Sequence, residues 1–148
     1  MLKNQKNLRL RVLFNASVVL SGLKSPKGGS GKLLQFVKLG KIDGKISEVI
    51  YDEILKHHQK LGISKIKVEK ESTELFKKLI YRPKEKLVNF YKKKVIDDGD
   101  AHVLATCDEE KIKYLVTLDK KHLLVLKGKI KELNILTPGE LIEFLPSK

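Results

Sequence analysis

Short apolar runs alternate along the chain with amphipathic stretches; the runs predict strands and the stretches predict helices. Arg9-Leu-Arg-Val-Leu-Phe14 reads as a buried strand, and Asn15-Ala-Ser17 follows it as a turn or helix start. The glycines and Pro26 of Gly22–Gly31 predict a loop. It leads to Ser30, an N-cap for a helix with Leu33, Leu34 and Val37 on one face and Gly40 as its stop. Gly44–Ser47 reads as a short strand, and Ser47 caps a helix whose Val49, Ile50, Ile54, Leu55 and Leu61 form an apolar stripe ended by Gly62. Leu75, Phe76, Leu79 and Ile80 predict a helix broken by Pro83, and Leu87, Val88, Phe90 and Tyr91 predict another ahead of Lys92–Lys94.

Asp97-Asp-Gly-Asp100 then opens an apolar helix over Ala101–Cys107, and Ile112–Thr117 is a strand running into Asp119. The chain closes with a strand at Asn134–Leu136 and a helix start at Thr137-Pro-Gly-Glu140, where a capping box carries Pro at the first helical position. Strands that alternate with helices imply right-handed crossovers, which cover both faces of a parallel sheet. The expected architecture is a three-layer α/β/α sandwich with a central, mainly parallel sheet, and ligands in such a sheet sit outside the carboxyl ends of the strands.

At 148 residues the chain matches one domain, 1–148. A net charge of +13 points to a polyanionic partner such as nucleic acid, and it is unevenly distributed. Residues 1–42 carry nine bases and no acid, and the basic stretch Lys65–Lys94 carries eleven bases against four acids. Residues 95–148 hold ten acids and eight bases. The single cysteine, Cys107, excludes an internal disulfide and a cysteine-based zinc cluster and fits a reducing compartment. No apolar run approaches the roughly 18–20 residues that span a bilayer, and Asn15 and Ser17 interrupt the first twenty residues, so a cytoplasmic protein without a membrane partner is expected.

Glu53, Asp100 and Asp119 are each expected on the strand-end side of the predicted sheet, a placement that would let them meet Asn15 in one oxygen-lined pocket. Two carboxylates about 4 Å apart repel by about 4 kcal/mol at an effective dielectric of 20, and a cation relieves that repulsion. Oxygen donors without a cysteine or histidine cluster select Mg²⁺ or Mn²⁺ over zinc, and such an ion suits phosphodiester hydrolysis. The alternative is structural: Asp98 or Asp100 caps its helix, Asp119 caps the next turn, and Glu53 is a rim charge. Pattern alone leaves both readings open.

Four segments carry a resemblance. Leu13-Phe-Asn-Ala-Ser-Val-Val-Leu-Ser-Gly-Leu23, Ile46-Ser-Glu-Val-Ile-Tyr-Asp-Glu-Ile54, Asp97-Asp-Gly-Asp-Ala-His-Val-Leu-Ala105 and Tyr114-Leu-Val-Thr-Leu-Asp119, followed by Leu136-Thr-Pro-Gly-Glu140, resemble the PIN domain in order and over nearly the whole chain. The resemblance is nearest to the prokaryotic single-domain group described as toxins of toxin–antitoxin pairs. It implies an α/β/α sandwich and a Mg²⁺- or Mn²⁺-dependent endoribonuclease acting on single-stranded RNA, with a homo-oligomer, a dimer first, and an antitoxin protein as partners. By position, Glu53, Asp100 and Asp119 match the family's second, third and fourth acids, and Thr117 the hydroxyl residue two before the last. Ser17 stands where a residue orients water or ligand by hydrogen bonding.

The resemblance fails at one position: Asn15 replaces the first acid, keeping a carbonyl ligand but lowering the formal pocket charge from −4 to −3. The alternative to a nuclease is therefore a catalytically weak or inactive PIN-fold module that binds RNA or protein. Gly28-Gly-Ser-Gly-Lys32 lacks the spacing of a phosphate loop and is expected to be flexible, with Lys27 and Lys32, like Lys92 and Lys93, as candidate phosphate contacts. His57 and His58 are adjacent and diverge on a helix, and His102 and His122 show no metal-ligand spacing. Cys107 is expected as a small buried hydrophobe.

Overall fold

The computed structural model describes residues 9–145, so residues 1–8 and 146–148 of the expected single domain lie outside the described residues. Strand β1 (Leu10–Phe14) runs into α1 (Ala16–Lys24) and α2 (Gly29–Lys38), then β2 (Ile42–Lys45). Helices α3 (Glu48–Lys56), α4 (His58–Leu61), α5 (Lys65–Leu75), α6 (Glu85–Lys92) and α7 (Asp98–Glu110) follow. The chain ends with β3 (Tyr114–Val116), a 3₁₀ turn at Leu124–Leu126, β4 (Asn134–Leu136) and α8 (Pro138–Phe144).

The four strands pair in the order β2-β1-β3-β4, all parallel. Leu10 lies opposite Ile42 and Leu13 opposite Lys45 on one side of β1, while Leu13 and Phe14 lie opposite Leu115 and Val116 on the other. Successive side chains of a strand point to opposite faces, and Val12, Leu13 and Phe14 are all fully buried, so β1 is covered from both sides. The connections from β1 to β2 and from β2 to β3 run in opposite directions along the sheet, and right-handed crossovers then place their helices on opposite faces. The result is the α/β/α sandwich expected from the alternation.

Several local signals act as the sequence predicts. Ser47 Oγ accepts from the Ile50 amide at 3.1 Å, and Thr137 and Glu140 form the reciprocal capping box at α8. Gly40 and Gly62 terminate their helices with φ of +78° and +69°.

Other boundaries differ for identifiable reasons. The expected Gly22–Gly31 loop shrinks to four residues, because α1 continues through Gly22 to Lys24 and α2 begins at Gly29, capped by Gly28 rather than Ser30. Both interior glycines are there for close approach. A Cβ on Gly22 would lie 2.5 Å from Leu34 Cδ1, and one on Gly31 would collide with the Pro26 backbone. The second strand covers Ile42–Lys45 instead of Gly44–Ser47, and the third shortens to Tyr114–Val116. The helix expected to run to Leu61 breaks at His57 and resumes as the single turn α4.

The helix expected over Leu75–Ile80 is absent. In its place α5 occupies Lys65–Leu75, and the next residues leave it as an irregular, non-helical segment. Phe76 packs its ring on Phe14 at 5.5 Å, and Ile80 makes a parallel bridge to Ser47. The apolar spacing of Phe76, Leu79 and Ile80 reflects docking along the sheet edge, whereas α5 buries only Val68 and Ser72 and so leaves a faint pattern. The basic stretch Lys65–Lys94 is thus two helices and a connection, not one helical face.

Gly31→Ala should lower the unfolding free energy by about 1–3 kcal/mol in urea titrations, the usual cost of overpacking. Gly139→Ala is the control: a Cβ at Gly139 meets nothing within 4 Å, and the change should stay within about 1 kcal/mol of the parent.

Candidate metal centre

Strands β1 and β3 end side by side, with the Asn15 amide donating to the Val116 carbonyl at 3.0 Å. The chain leaves β1 for β2 on one side and β3 for β4 on the other, so the strand order reverses between them. The crevice outside such a reversal is where open parallel sheets bind ligands.

Asn15 caps α1. Its Oδ1 accepts from the Ala16 amide at 3.0 Å, which fixes Nδ2 toward Thr117 Oγ1 at 2.7 Å and Ser17 Oγ at 3.3 Å. Each hydroxyl also accepts a backbone proton from the loop after β3: Thr117 Oγ1 from Asp119 at 3.1 Å and Ser17 Oγ from Leu118 at 3.2 Å. One side-chain amide therefore ties the end of β1 to the turn that carries Asp119.

Asp100 reaches the same crevice from the first turn of α7. The cap of that helix is Asp97, whose Oδ1 accepts from the Gly99 amide at 2.7 Å, so neither Asp98 nor Asp100 serves as the N-cap. Asp100 is only 9% exposed, and its Oδ2 is buried with no hydrogen-bond partner. A helix N-terminus favours a carboxylate, but burial outweighs it here. Burial first, then the charges of Asp97, Asp119 and Glu53, push the Asp100 carboxyl up to about 6, with His122 pulling the other way.

Asp119 does cap the turn that follows it. Its Oδ1 accepts from the His122 amide at 3.1 Å, and its Oδ2 lies 3.2 Å from His122 Nδ1. Asp100, Asp119 and His122 each offer a ligand atom within 4.8 Å of the others. Donors about 2.1–2.3 Å from one cation fall within that span, and the unpartnered Asp100 Oδ2 is the kind of atom a cation satisfies, so these residues fit a divalent ion. His122 corrects the expectation that it has no ligand spacing. The informative interval was the one turn from Asp119, not a distance between histidines.

Glu53 sits apart from that trio. Its side chain is 54% exposed and faces His57 Nε2 at 3.4 Å on the same helix edge. Both residues line the cleft of about 420 Å³ that also holds Asn15, Ser17, Asp97, Asp100 and Asp119. Lys60 is the basic side chain lining this cleft. Lys27, Lys32, Lys92 and Lys93 are exposed elsewhere, and Lys32 lies 5.9 Å over the Phe36 ring. Lys60 carried no distinguishing signal in a chain this rich in lysine. Cys107 is buried as expected, and burial pushes its thiol up to about 12. Among the described residues no helix is long and apolar enough to cross a membrane.

Comparison with known proteins adds the family. The sequence profile described as PIN domain matches residues 11–121. The crystal structure of PAE2754 from Pyrobaculum aerophilum is similar in fold, with a TM-score of 0.62 at 17% identity over 94% of this chain and 91% of that one. No curated protein sequence matches significantly.

The raised Asp100 carboxyl gives a pH prediction. The unfolded chain releases this proton near the ordinary 3.8 and the folded chain only near 6, so deprotonation favours unfolding and stability is lost as pH rises between them. In chelator, Asp100→Asn should raise the unfolding free energy by on the order of 2 kcal/mol above pH 6, and the gain should vanish below pH 4. Urea titrations across that range check it.

Proposed function

The chain belongs to the PIN domain family, in general metal-dependent nucleases, and we propose that it is an endoribonuclease cutting single-stranded RNA with Mg²⁺ or Mn²⁺ at this cleft. The observation that carries the reading is the buried, unpartnered Asp100 Oδ2 beside Asp119 at the reversal of the sheet. Structural carboxylates are normally hydrogen-bonded when buried; one left bare among other acids is arranged for a cation.

Asp100 and Asp119 would hold the ion, and Glu53 would add a third carboxylate from the rim of the cleft. A divalent cation bound there would lower the pKa of a bound water and supply positive charge for a phosphoryl oxygen. The protein's own contribution is positioning. Thr117 and Ser17 fix the backbone on either side of the Leu118–Asp119 peptide, and Asn15 fixes both hydroxyls, so the Asp119 carboxylate is aimed before substrate arrives. The surplus of basic residues draws the RNA backbone, and Lys60 is the lysine that lines the cleft.

Asn15 favours a second reading, a PIN-fold module that binds RNA without cutting it. The amide adds no charge to the cleft, and its donors are committed to Thr117 and Ser17. Asn15→Asp should leave the fold intact, because either hydroxyl can turn to donate where it now accepts.

The test is cleavage of a mixed single-stranded RNA panel by the parent and by Asn15→Asp, with Mg²⁺, with Mn²⁺ and with chelator. The parent should cut slowly, Asn15→Asp about tenfold faster or more, and chelator should stop both. Asp100→Asn and Glu53→Gln should remove the activity in both backgrounds. Binding without cleavage by either form would establish the module instead.

A further inference from the structure

The proposed function accounts for the carboxylates and leaves His122 unused. We infer that His122 is itself a ligand of the cation, so that the centre takes a first-row transition ion in preference to Mg²⁺. The inference rests on Asp100 and Asp119 forming a cation site, and it adds the nitrogen donor and the choice of metal.

Three observations support it. The imidazole shares one ligand sphere with the two carboxylates, all donors within 4.8 Å, although it comes from neither β1 nor α7. Its Nδ1 is hydrogen-bonded to Asp119 Oδ2 at 3.2 Å, and with the shared proton displaced the same separation suits two donors at adjacent positions on one cation about 2.1–2.3 Å from each. Its backbone amide is held by the other Asp119 oxygen, Oδ1, so the turn presents the ring and the carboxylate to the same side.

The first acid of the family resemblance is absent at position 15: Asn15 carries no charge, and its amide protons are engaged with Ser17 and Thr117. His122 supplies a neutral donor in compensation. A neutral imidazole has one nitrogen lone pair to give, and nitrogen donors suit Mn²⁺, Co²⁺ or Zn²⁺ better than Mg²⁺, which prefers oxygen.

The test reads metal binding directly on the full chain freed of metal by chelator, using calorimetric titration with Mg²⁺, Mn²⁺ and Co²⁺. The parent should bind Mn²⁺ about tenfold tighter than Mg²⁺, and Co²⁺ tighter still. His122→Ala should weaken Mn²⁺ and Co²⁺ about tenfold while leaving Mg²⁺ within about twofold. His122→Asp, which keeps a turn-compatible polar side chain and replaces nitrogen by oxygen, should raise Mg²⁺ affinity and reverse the preference. Thermal unfolding in chelator verifies that each variant folds. Equal loss of all three ions in His122→Ala, or no loss, overturns the role of His122. Asp100→Asn separates the two readings: it should abolish binding of every ion, and if it binds all three like the parent, the carboxylate cluster is not the cation site and both readings fall.

Discussion

The burial of β1 on both faces is the constraint from which the rest of the structure follows. Val12, Leu13 and Phe14 are each fully removed from water, worth roughly 1.5–3 kcal/mol per large apolar side chain. A strand buried this way must be central, flanked by parallel neighbours and covered by helices above and below. That arrangement sends the chain to opposite sides of β1 in successive crossovers and so creates the reversal between β1 and β3. A slip of one residue would exchange the two faces of β1 and move Asn15 away from Thr117. Register, core and cleft are one solution.

Against this apolar gain stands an electrostatic cost concentrated in the cleft. Asp100 is nearly buried, faces three other carboxylates, and has an oxygen with no partner. Ser17 and Thr117 spend their oxygens as acceptors for Asn15 Nδ2 and for the backbone amides of Leu118 and Asp119. The fold therefore holds a destabilised acid in place with well-satisfied neighbours, and any cation that binds there stabilises the folded chain by mass action. Stability and metal occupancy are coupled at this point of the molecule.

Charge elsewhere is arranged in the opposite sense. Most acids of residues 95–148 sit on α7 or in the segment around Asp119, whereas the excess of lysine is spread over exposed positions. A polyanion drawn by the overall positive charge meets carboxylates in the cleft, and a cation there would relieve that repulsion. Lys60, lining the cleft near Glu53 and His57, marks where the two regimes meet.

The sequence by itself determined whatever depends on neighbours along the chain. The apolar run of β1, the Ser47 cap, the capping box at Thr137 and the stops at Gly40 and Gly62 are local rules, and each was legible. The ordered acids Asp100 and Asp119, set at element ends, were legible for the same reason. Only the tertiary structure decided the rest. Gly22 and Gly31 read as loop residues until Leu34 and Pro26 are found against them, and Phe76 and Ile80 read as helix until Phe14 and Ser47 claim them. Convergence of side chains cannot be read along the chain, because burial and distance are set by packing between segments as far apart as Asn15 and Thr117. That packing left Glu53 on the exposed rim beside His57, brought His122 to the carboxylates, and tied the Asn15 amide protons to Thr117 and Ser17.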